Sequence, residues 1–342
     1  METAKTLQET LAFEGVGLHT GEKCKILLHP VDCVSGNADA TDAIIVASAF
    51  PPMNRPQASN VQSPELPVMY RAIHCHITLR KDNHAFPAHW DYVVDTTRAT
   101  VLGDGAVKIS TVEHLMAALW MRGITHCVIE VVQGNEIPIL DGSALPFVEA
   151  IRGTDIPVRA ETGSDKPVQA TLRGTDIPVR AETGLDKNVQ ATRGGECLDK
   201  NVQATGGDRY LALSLSGDTL FGYIQFPEPL GVQAGAFPIA DALSEIAPAR
   251  TFGFLREVEA LRQQGLALGG ALENALVIDE TGYHNPARFE DEPLRHKLLD
   301  VLGDLYLSGV YLPRFTLVAI KPGHALNVQL ARALVQRFFT ED

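Results

Sequence analysis

The chain has 342 residues, 45% hydrophobic and 21% charged, with a formal net charge of −13. That length suggests two domains, with enough apolar mass for real cores. The acidic balance excludes bulk attraction to nucleic acid or an anionic lipid surface, so an anionic ligand has to be met by a local cluster of Lys and Arg.

The five cysteines, Cys24, Cys33, Cys75, Cys127 and Cys197, are odd in number and form no C-x-x-C. This argues against a disulfide framework and a Cys-type zinc site, and it fits a reducing, cytosolic setting. The start, Met1 to Leu7, lacks the apolar core of a signal peptide, and no apolar run reaches membrane-spanning length.

Residues 6–13 and 22–29 are predicted strands. The three glycines in Glu14-Gly-Val-Gly-Leu-His-Thr-Gly21 between them imply a tight turn of close approach. No helix follows, so this is not a dinucleotide fingerprint. Residues 34–68 read as a long surface excursion around a short strand, Ala43–Ser48. Strands are expected at 71–80, 92–102 and 107–109. Ser110 to Trp120 is a predicted helix, with Ser110 and Glu113 as a capping box and Gly123 as its stop. Thr125 to Val132 is a β-branched strand in which His126 and Cys127 read as packing residues. A short helix is expected at Ser143 to Ile151.

The composition then changes. Arg152-Gly-Thr-Asp-Ile-Pro-Val-Arg-Ala-Glu-Thr-Gly163 returns unchanged at Arg173–Gly184, and Leu185–Thr192 returns at 198–205. Two copies and a fragment, without a hydrophobic face, are too few for a solenoid. Residues 152–206 therefore read as a duplicated, mobile linker or a loose set of hairpins. Beyond it, 209–216 and 219–226 alternate like a hairpin turning at Gly217-Asp218. Helices are predicted at 239–246, 255–264, 293–308 and 324–339, and strands at 274–279 and 315–320. Each half sets strands first and helices later, which favours two α+β domains, each a sheet backed by helices. The boundaries are 1–151, with a long excursion at 34–85, and 207–342, with 152–206 between.

The helix around Phe289 to Asp304 carries the first chemical signal. Pro293 suits its first position, and Glu290, Asp291 and Glu292 crowd its positive end. Leu298, Leu299, Val301, Leu302 and Leu305 form a buried stripe. His296 and Asp300 then share one face, with Asp304 a turn further. Such a pair can bind a divalent cation, and an ordinary half-exposed His–Asp pair has the same spacing. Glu113 and His114 are adjacent. They read either as a capping Glu beside a buried His, or as a carboxylate base beside a metal ligand. His114, His296 and Asp300 together would leave one position open for water, as catalytic zinc requires; iron would also suit these donors. His324 could deliver a proton with Asp304 as its partner, or serve as a polar cap. Thr251 offers a hydroxyl to an oxyanion, or caps the next helix. Leu266–Gly270 and Ala275–Ile278 could enclose a greasy pocket.

Five segments together resemble the UDP-3-O-acyl-N-acetylglucosamine deacetylase family, zinc amidohydrolases of bacterial lipid A synthesis. They are Gly15-Val-Gly-Leu-His-Thr-Gly21; Ser110-Thr-Val-Glu-His-Leu115; Glu136-Ile-Pro-Ile-Leu-Asp-Gly-Ser143; Ala249-Arg-Thr-Phe-Gly-Phe254 with Leu268-Gly-Gly; and Arg295-His-Lys-Leu-Leu-Asp300 with Gly323-His-Ala-Leu-Asn327. The likeness covers 5–30, 86–151 and 208–342. It implies a β-α-α-β sandwich of two similar domains with zinc between the helix layers. It also implies His114, His296 and Asp300 as ligands, Glu113 as general base, His324 oriented by Asp304 as acid, and Thr251 at the oxyanion. Lys297 and His19 match positions near the substrate's polar head, and Phe252 opens an acyl passage running to Ile278. Charge adds Arg295 beside Lys297 as a candidate for the UDP group. The implied partner is an acylated UDP-amino-sugar, met by a cytoplasmic monomer with at most peripheral membrane contact and no nucleic acid.

Two departures stand out. Residues 34–85 are longer than the family shows, and 152–206 displace a segment that carries a phosphate-binding lysine, with no visible counterpart. A homologue that binds zinc or the acyl-UDP-sugar without turnover is the alternative. A metallopeptidase would rest on zinc plus Glu alone, and H-E-x-x-H is absent.

Overall fold

A computed structural model describes residues 4–31, 73–155 and 201–339. The bulk of the repeats, the strand expected at 43–48, Cys33 and Cys197 lie outside the described residues. Among the described residues the fold is mixed α+β, with several sheets. Its helices are α1 (Glu113–Met121), α2 (Leu145–Ala150), α3 (Ala242–Glu245), α4 (Leu255–Gln263), α5 (Glu292–Tyr306) and α6 (His324–Phe339).

The first large sheet is centred on the strand His126–Gln133. It runs antiparallel to Lys23–His29 and parallel to Lys5–Leu7 and His76–Lys81. Alternate residues point inward, so Ile26, Leu28, Ile77, Leu79, Cys127 and Ile129 are buried. His126 takes the opposite face, where its Nδ1 shares a hydrogen bond with Thr125 Oγ1. The expected strand at 6–13 is interrupted and becomes Lys5–Leu7 and Leu11–Val16. The one at 92–102 likewise splits into Val93–Asp95 and Val101–Gly103, and residues 96–100 form a loop between them.

The second sheet corrects the expected hairpin. Arg209–Ser214 and Thr219–Gln225 share a sheet without pairing, because Thr316–Ile320 lies between them, antiparallel to the first and parallel to the second. Alternation assigns strands to a sheet but does not choose their neighbours. The hairpins lie to either side: Asn201–Gly206 turns back on Arg209–Ser214 through Gly207, whose φ is +63°, and Thr219–Gln225 pairs antiparallel with Val232–Pro238. Residues 201–206 therefore belong to this sheet rather than to a linker, and Gly153–Asp155 pairs with Lys5–Leu7 in the first.

The capping box is also corrected. α1 starts at Glu113, after a Val112 N-cap with no side-chain cap bond. Thr111, at φ +58°, turns the chain, and Ser110 bridges to Glu136. Glu113 is thus the first helical residue instead of the third, and its carboxylate is released from capping. Every residue of α1 from Glu113 to Trp120 is buried, as expected of a helix packed on all sides. α5 keeps Pro293 in its first turn and buries Leu298, Leu299, Val301 and Leu302. Where α5 meets α1, Gly303 leaves no room for a side chain, since a Cβ there would overlap the carbonyl oxygen of Glu113.

The start of α5 is held by a buried ion pair. Glu292, expected only to complement the helix dipole, accepts hydrogen bonds from Arg250 N (3.0 Å), Arg250 Nε (2.9 Å) and Arg288 N (2.6 Å). Burial disfavours its charge, but these donors outweigh burial and hold its carboxyl below the usual range.

Two expected outcomes follow from this packing. Alanine for glycine within a helix normally gains about 1 kcal/mol. Gly303→Ala should instead lower the thermal midpoint, because a backbone carbonyl cannot yield as a side chain can; a midpoint at or above wild type in a melting scan would contradict the contact. Glu292→Gln should cost about 3 kcal/mol at neutral pH, the scale for breaking a buried pair. With its folded pKa depressed, Glu292 binds fewer protons in the native than in the unfolded chain. Its stabilisation is full above the unfolded pKa and is lost as pH falls through the folded one. The gap between variant and wild type in denaturant unfolding should therefore narrow from about pH 5 downward.

Candidate metal centre and active site

His114, the second residue of α1, faces His296 and Asp300 of α5, and all three are buried. Asp300 Oδ1 lies 3.4 Å from His296 Nε2 and 3.8 Å from His114 Nε2. One ligand atom from each of the three falls within 4.8 Å of the others. His296 Nδ1–H donates to Ala249 O at 3.1 Å, which leaves the Nε2 lone pair free. Asp300 Oδ2 accepts Lys297 Nζ at 2.7 Å, but Oδ1 is buried without a hydrogen-bond partner, as is His114 Nδ1.

The charges suit a cation. Burial, reinforced by His296, pushes the His114 imidazole down to about 3, and burial lowers His296 as well. Burial opposes ionisation of Asp300, yet His296 and Lys297 overcome it and hold the carboxyl well below the usual range. Two neutral imidazoles and an ionised carboxylate thus converge with lone pairs and no donor between them. Such a group is costly to bury unpaired, and its donor set fits a divalent ion.

A second buried trio, Glu113, Asp300 and His324, adjoins the first. Burial, with Asp304 and Asp300 adding to it and His324 opposing, pushes the Glu113 carboxyl up to about 8. His324 opens α6 and donates Nδ1–H to Asp304 Oδ2 at 2.9 Å. Burial alone would lower its pKa; the carboxylates of Asp304, Asp300 and Glu113 prevail and raise it to about 9. Asp304 is fixed in turn by the Thr100 hydroxyl (2.5 Å) and Asn327 Nδ2 (2.9 Å). Thr100 N also donates to Glu113 Oε2 at 3.0 Å. Neither Thr100 nor Asn327 was singled out from the sequence. Asn327 could have been, since it lies one helical turn after His324; Thr100 lay inside an expected strand.

Both trios open into a cavity of about 730 Å³, which Thr251, Phe252, Lys297 and His19 also line. Its apolar part is made by Phe254, Leu255, Val258, Leu261, Leu272 and Val277. α4 contributes to this wall without burying a single residue, and Leu255 and Leu272 are each 48% exposed. Arg98 and Arg209 supply positive charge. Arg209 also lines an adjoining recess with Gln225, Phe226 and Lys321. Arg209 thus brings a cation to the junction of the cavity and this recess.

Arg295 is absent from the cavity lining. Its guanidinium pairs with Asp291 at 2.5 Å and with Glu245, and it lies 4.1 Å from the Phe289 ring centroid and 4.6 Å from that of Phe237. Arg295 and Lys297 flank His296, about 100° to either side on the helix, and only the Lys297 side faces the cavity.

Glu136 supports the loop that carries His19. It is 0% exposed and accepts from His19 N, Thr20 N, Thr20 Oγ1 and Thr111 Oγ1. A Cβ at Gly17 would overlap its carboxylate, which accounts for glycine there. The His19 ring nitrogens are buried without hydrogen bonds, and burial lowers the pKa. The loop is stitched to the far wall by Leu268 N to His19 O (3.1 Å) and Gly269 N to Leu18 O (3.0 Å).

Comparison with known proteins gives a consistent result. A family model described as UDP-3-O-acyl N-acetylglycosamine deacetylase matches residues 71–336. Proteins named UDP-3-O-acyl-N-acetylglucosamine deacetylase are similar over nearly the whole chain. The one from Leptospira biflexa serovar Patoc is 33% identical over 339 residues, 97% of this chain and 90% of the relative. That from Trichormus variabilis is 33% identical over 338 residues, covering 96% and 97%. That from Myxococcus xanthus is 34% identical over 340 residues, covering 97% and 86%. On the breadth of these matches, the chain belongs to the UDP-3-O-acyl-N-acetylglucosamine deacetylase family.

Proposed function

We propose that this protein hydrolyses the N-acetyl group of UDP-3-O-acyl-N-acetylglucosamine, releasing acetate, in lipid A biosynthesis. The observation that carries the reading is the convergence, in one cavity, of a His–His–carboxylate trio whose Asp300 Oδ1 has no hydrogen-bond partner with a buried carboxylate and a carboxylate-bound imidazole. His114, His296 and Asp300 would hold zinc, and Fe2+ would suit the same donors. Such an ion supplies polarisation of the amide carbonyl and a lowered pKa for water.

The chain's own groups do the rest. Glu113 accepts the proton of the attacking water, and the proton affinity that burial raises favours its holding that proton once taken. Thr251, on the cavity wall, donates its hydroxyl to the developing oxyanion. His324, held cationic by Asp304, gives its Nε2 proton to the departing amine. The water oxygen leaves in acetate and the sugar keeps a free amine. Lys297, 5.6 Å from the Phe252 ring centroid, and His19 meet the polar head of the substrate. Arg209 and Arg98 meet the diphosphate, and the wall from Phe252 to Val277 takes the acyl chain.

We read the two large sheets and their helices as two α+β domains layered helix face to helix face, with the site at the α1–α5 seam. One chain carries all of these groups, so a monomer suffices. A cytoplasmic setting is part of the same reading. Among the described residues, no helix is long and apolar enough to cross a membrane. A homologue that binds without turnover would be expected to lack a reacting group, and none is missing.

Glu113→Ala should cut acetate release from the acylated UDP-sugar by about 10²–10⁴-fold, with bound metal unchanged by elemental analysis. Acetate release near the wild-type rate would remove Glu113 from the mechanism. Arg209→Ala should raise KM about tenfold and leave kcat within about twofold, the signature of lost uniform binding. The defect should shrink in high salt, and an unchanged KM would place the diphosphate elsewhere.

A further inference from the structure

We propose that Thr100 is a positioning residue for the hydrolysis, its backbone N–H fixing Glu113 and its hydroxyl fixing the Asp304–His324 pair. One buried residue thereby sets the proton acceptor and the proton donor relative to each other. The inference rests on the roles given above to Glu113 and His324.

The two groups stand on separate elements. Glu113 starts α1, His324 starts α6, and Asp304 sits late in α5. Among the described residues, Thr100 alone hydrogen-bonds to the side chains of both Glu113 and Asp304, at 3.0 Å and 2.5 Å. It is 0% exposed, and it lies in the loop that interrupts the strand pair Val93–Asp95 and Val101–Gly103. The neighbouring loop residues Thr96, Thr97 and Arg98 line the cavity. Thr100 therefore joins a wall of the site to both reacting groups.

The donors divide without conflict. The Thr100 hydroxyl has one proton, and Asp304 Oδ1 at 2.5 Å is its nearest acceptor. Asp304 Oδ2 takes His324 Nδ1–H and Asn327 Nδ2–H. Both carboxylate oxygens are thus tied, the carboxylate cannot rotate, and the plane of the His324 ring follows from it. His324 Nε2 is then aimed back toward the metal trio, 4.0 Å from Asp300 Oδ2. The Thr100 oxygen lies 3.3 Å from His324 Nδ1, close enough to steady the same N–H. Without the hydroxyl, Asp304 Oδ1 would be buried with no donor and free to turn. A misplacement of about 1 Å at a positioned acid can cost about 10²-fold in rate.

The test uses full-length, metal-loaded protein. Thr100→Val keeps the β-branched shape and the backbone N–H to Glu113 and removes only the hydroxyl. Thr100→Ser keeps the hydroxyl. Thr100→Val should lower kcat by about 10–100-fold, with KM within about threefold and metal content as in wild type. Thr100→Ser should recover most of kcat. A second readout needs no turnover. The downfield proton resonance of the buried His324 Nδ1–H, assigned by its absence in His324→Ala, should shift or broaden in Thr100→Val and persist in Thr100→Ser. An unchanged kcat and resonance in Thr100→Val would overturn the inference, as would a Thr100→Ser defect equal to that of Thr100→Val. If wild-type protein releases no acetate, the deacetylase reading fails on its own, and the resonance still decides whether Thr100 orients His324.

Discussion

The contact on which the site depends is made by backbone. At Gly303, α5 lies against the first carbonyl of α1 with no side chain between them. This close approach brings His114 on one helix within ligand distance of His296 and Asp300 on the other. A larger residue would part the helices by roughly the width of a methyl group, and a trio whose ligand atoms fall within 4.8 Å would open. The apolar stripe of α5 then holds the approach in place, because Leu298, Leu299, Val301 and Leu302 are wholly or almost wholly buried beside it.

Around that seam the charged groups are arranged so that few are paired simply. Asp300 gives one oxygen to Lys297 and leaves the other to the imidazoles. Asp304, four residues further along α5, has both oxygens engaged, by the Thr100 hydroxyl, His324 Nδ1–H and Asn327 Nδ2–H. The same buried region thus drives the Glu113 and His324 protons in a coordinated way. Burial and like charge raise the carboxyl, and surrounding carboxylates keep the imidazole protonated. Groups whose environments set them to opposite tasks in one cavity are what acid–base catalysis requires.

Much of this was legible in local spacing. A histidine and an aspartate four apart on an apolar helix have to share a face, and Pro293 marks where that helix starts. The limits of local spacing are equally visible. It could not tell Lys297 from Arg295, which flank His296 symmetrically; tertiary packing against Phe237 and Phe289 decided that. A serine three residues before a glutamate looks like a capping box, yet the strained turn at Thr111 moved the helix start and redirected Glu113 to Thr100. Strand alternation put two strands in one sheet and could not foresee that Thr316–Ile320, far along the chain, would part them. Thr100 and Glu136 act across separations of 204 and 117 residues, and no pattern in a single sequence reaches so far.

The cavity also resolves the conflict between an acidic chain and an anionic substrate. A net charge of −13 gives no general attraction to a nucleotide. Selectivity then has to come from the few cations that line the cavity, Arg98, Arg209, Arg262 and Lys297, and from the apolar wall to which α4 contributes. Gly323 brings the chain beside His324 close to the Arg209 guanidinium, and Phe252 links His296 to the apolar side. A ligand with a charged head and a long apolar tail would meet both of these regions, and His114, His296 and Asp300 line the same cavity. Binding energy from the two ends can then be spent on orientation at the reacting centre rather than on affinity alone. Neither end could do this if the walls were free to shift. The backbone bonds from Leu268 and Gly269 to the Glu136-braced loop keep the walls at a fixed separation.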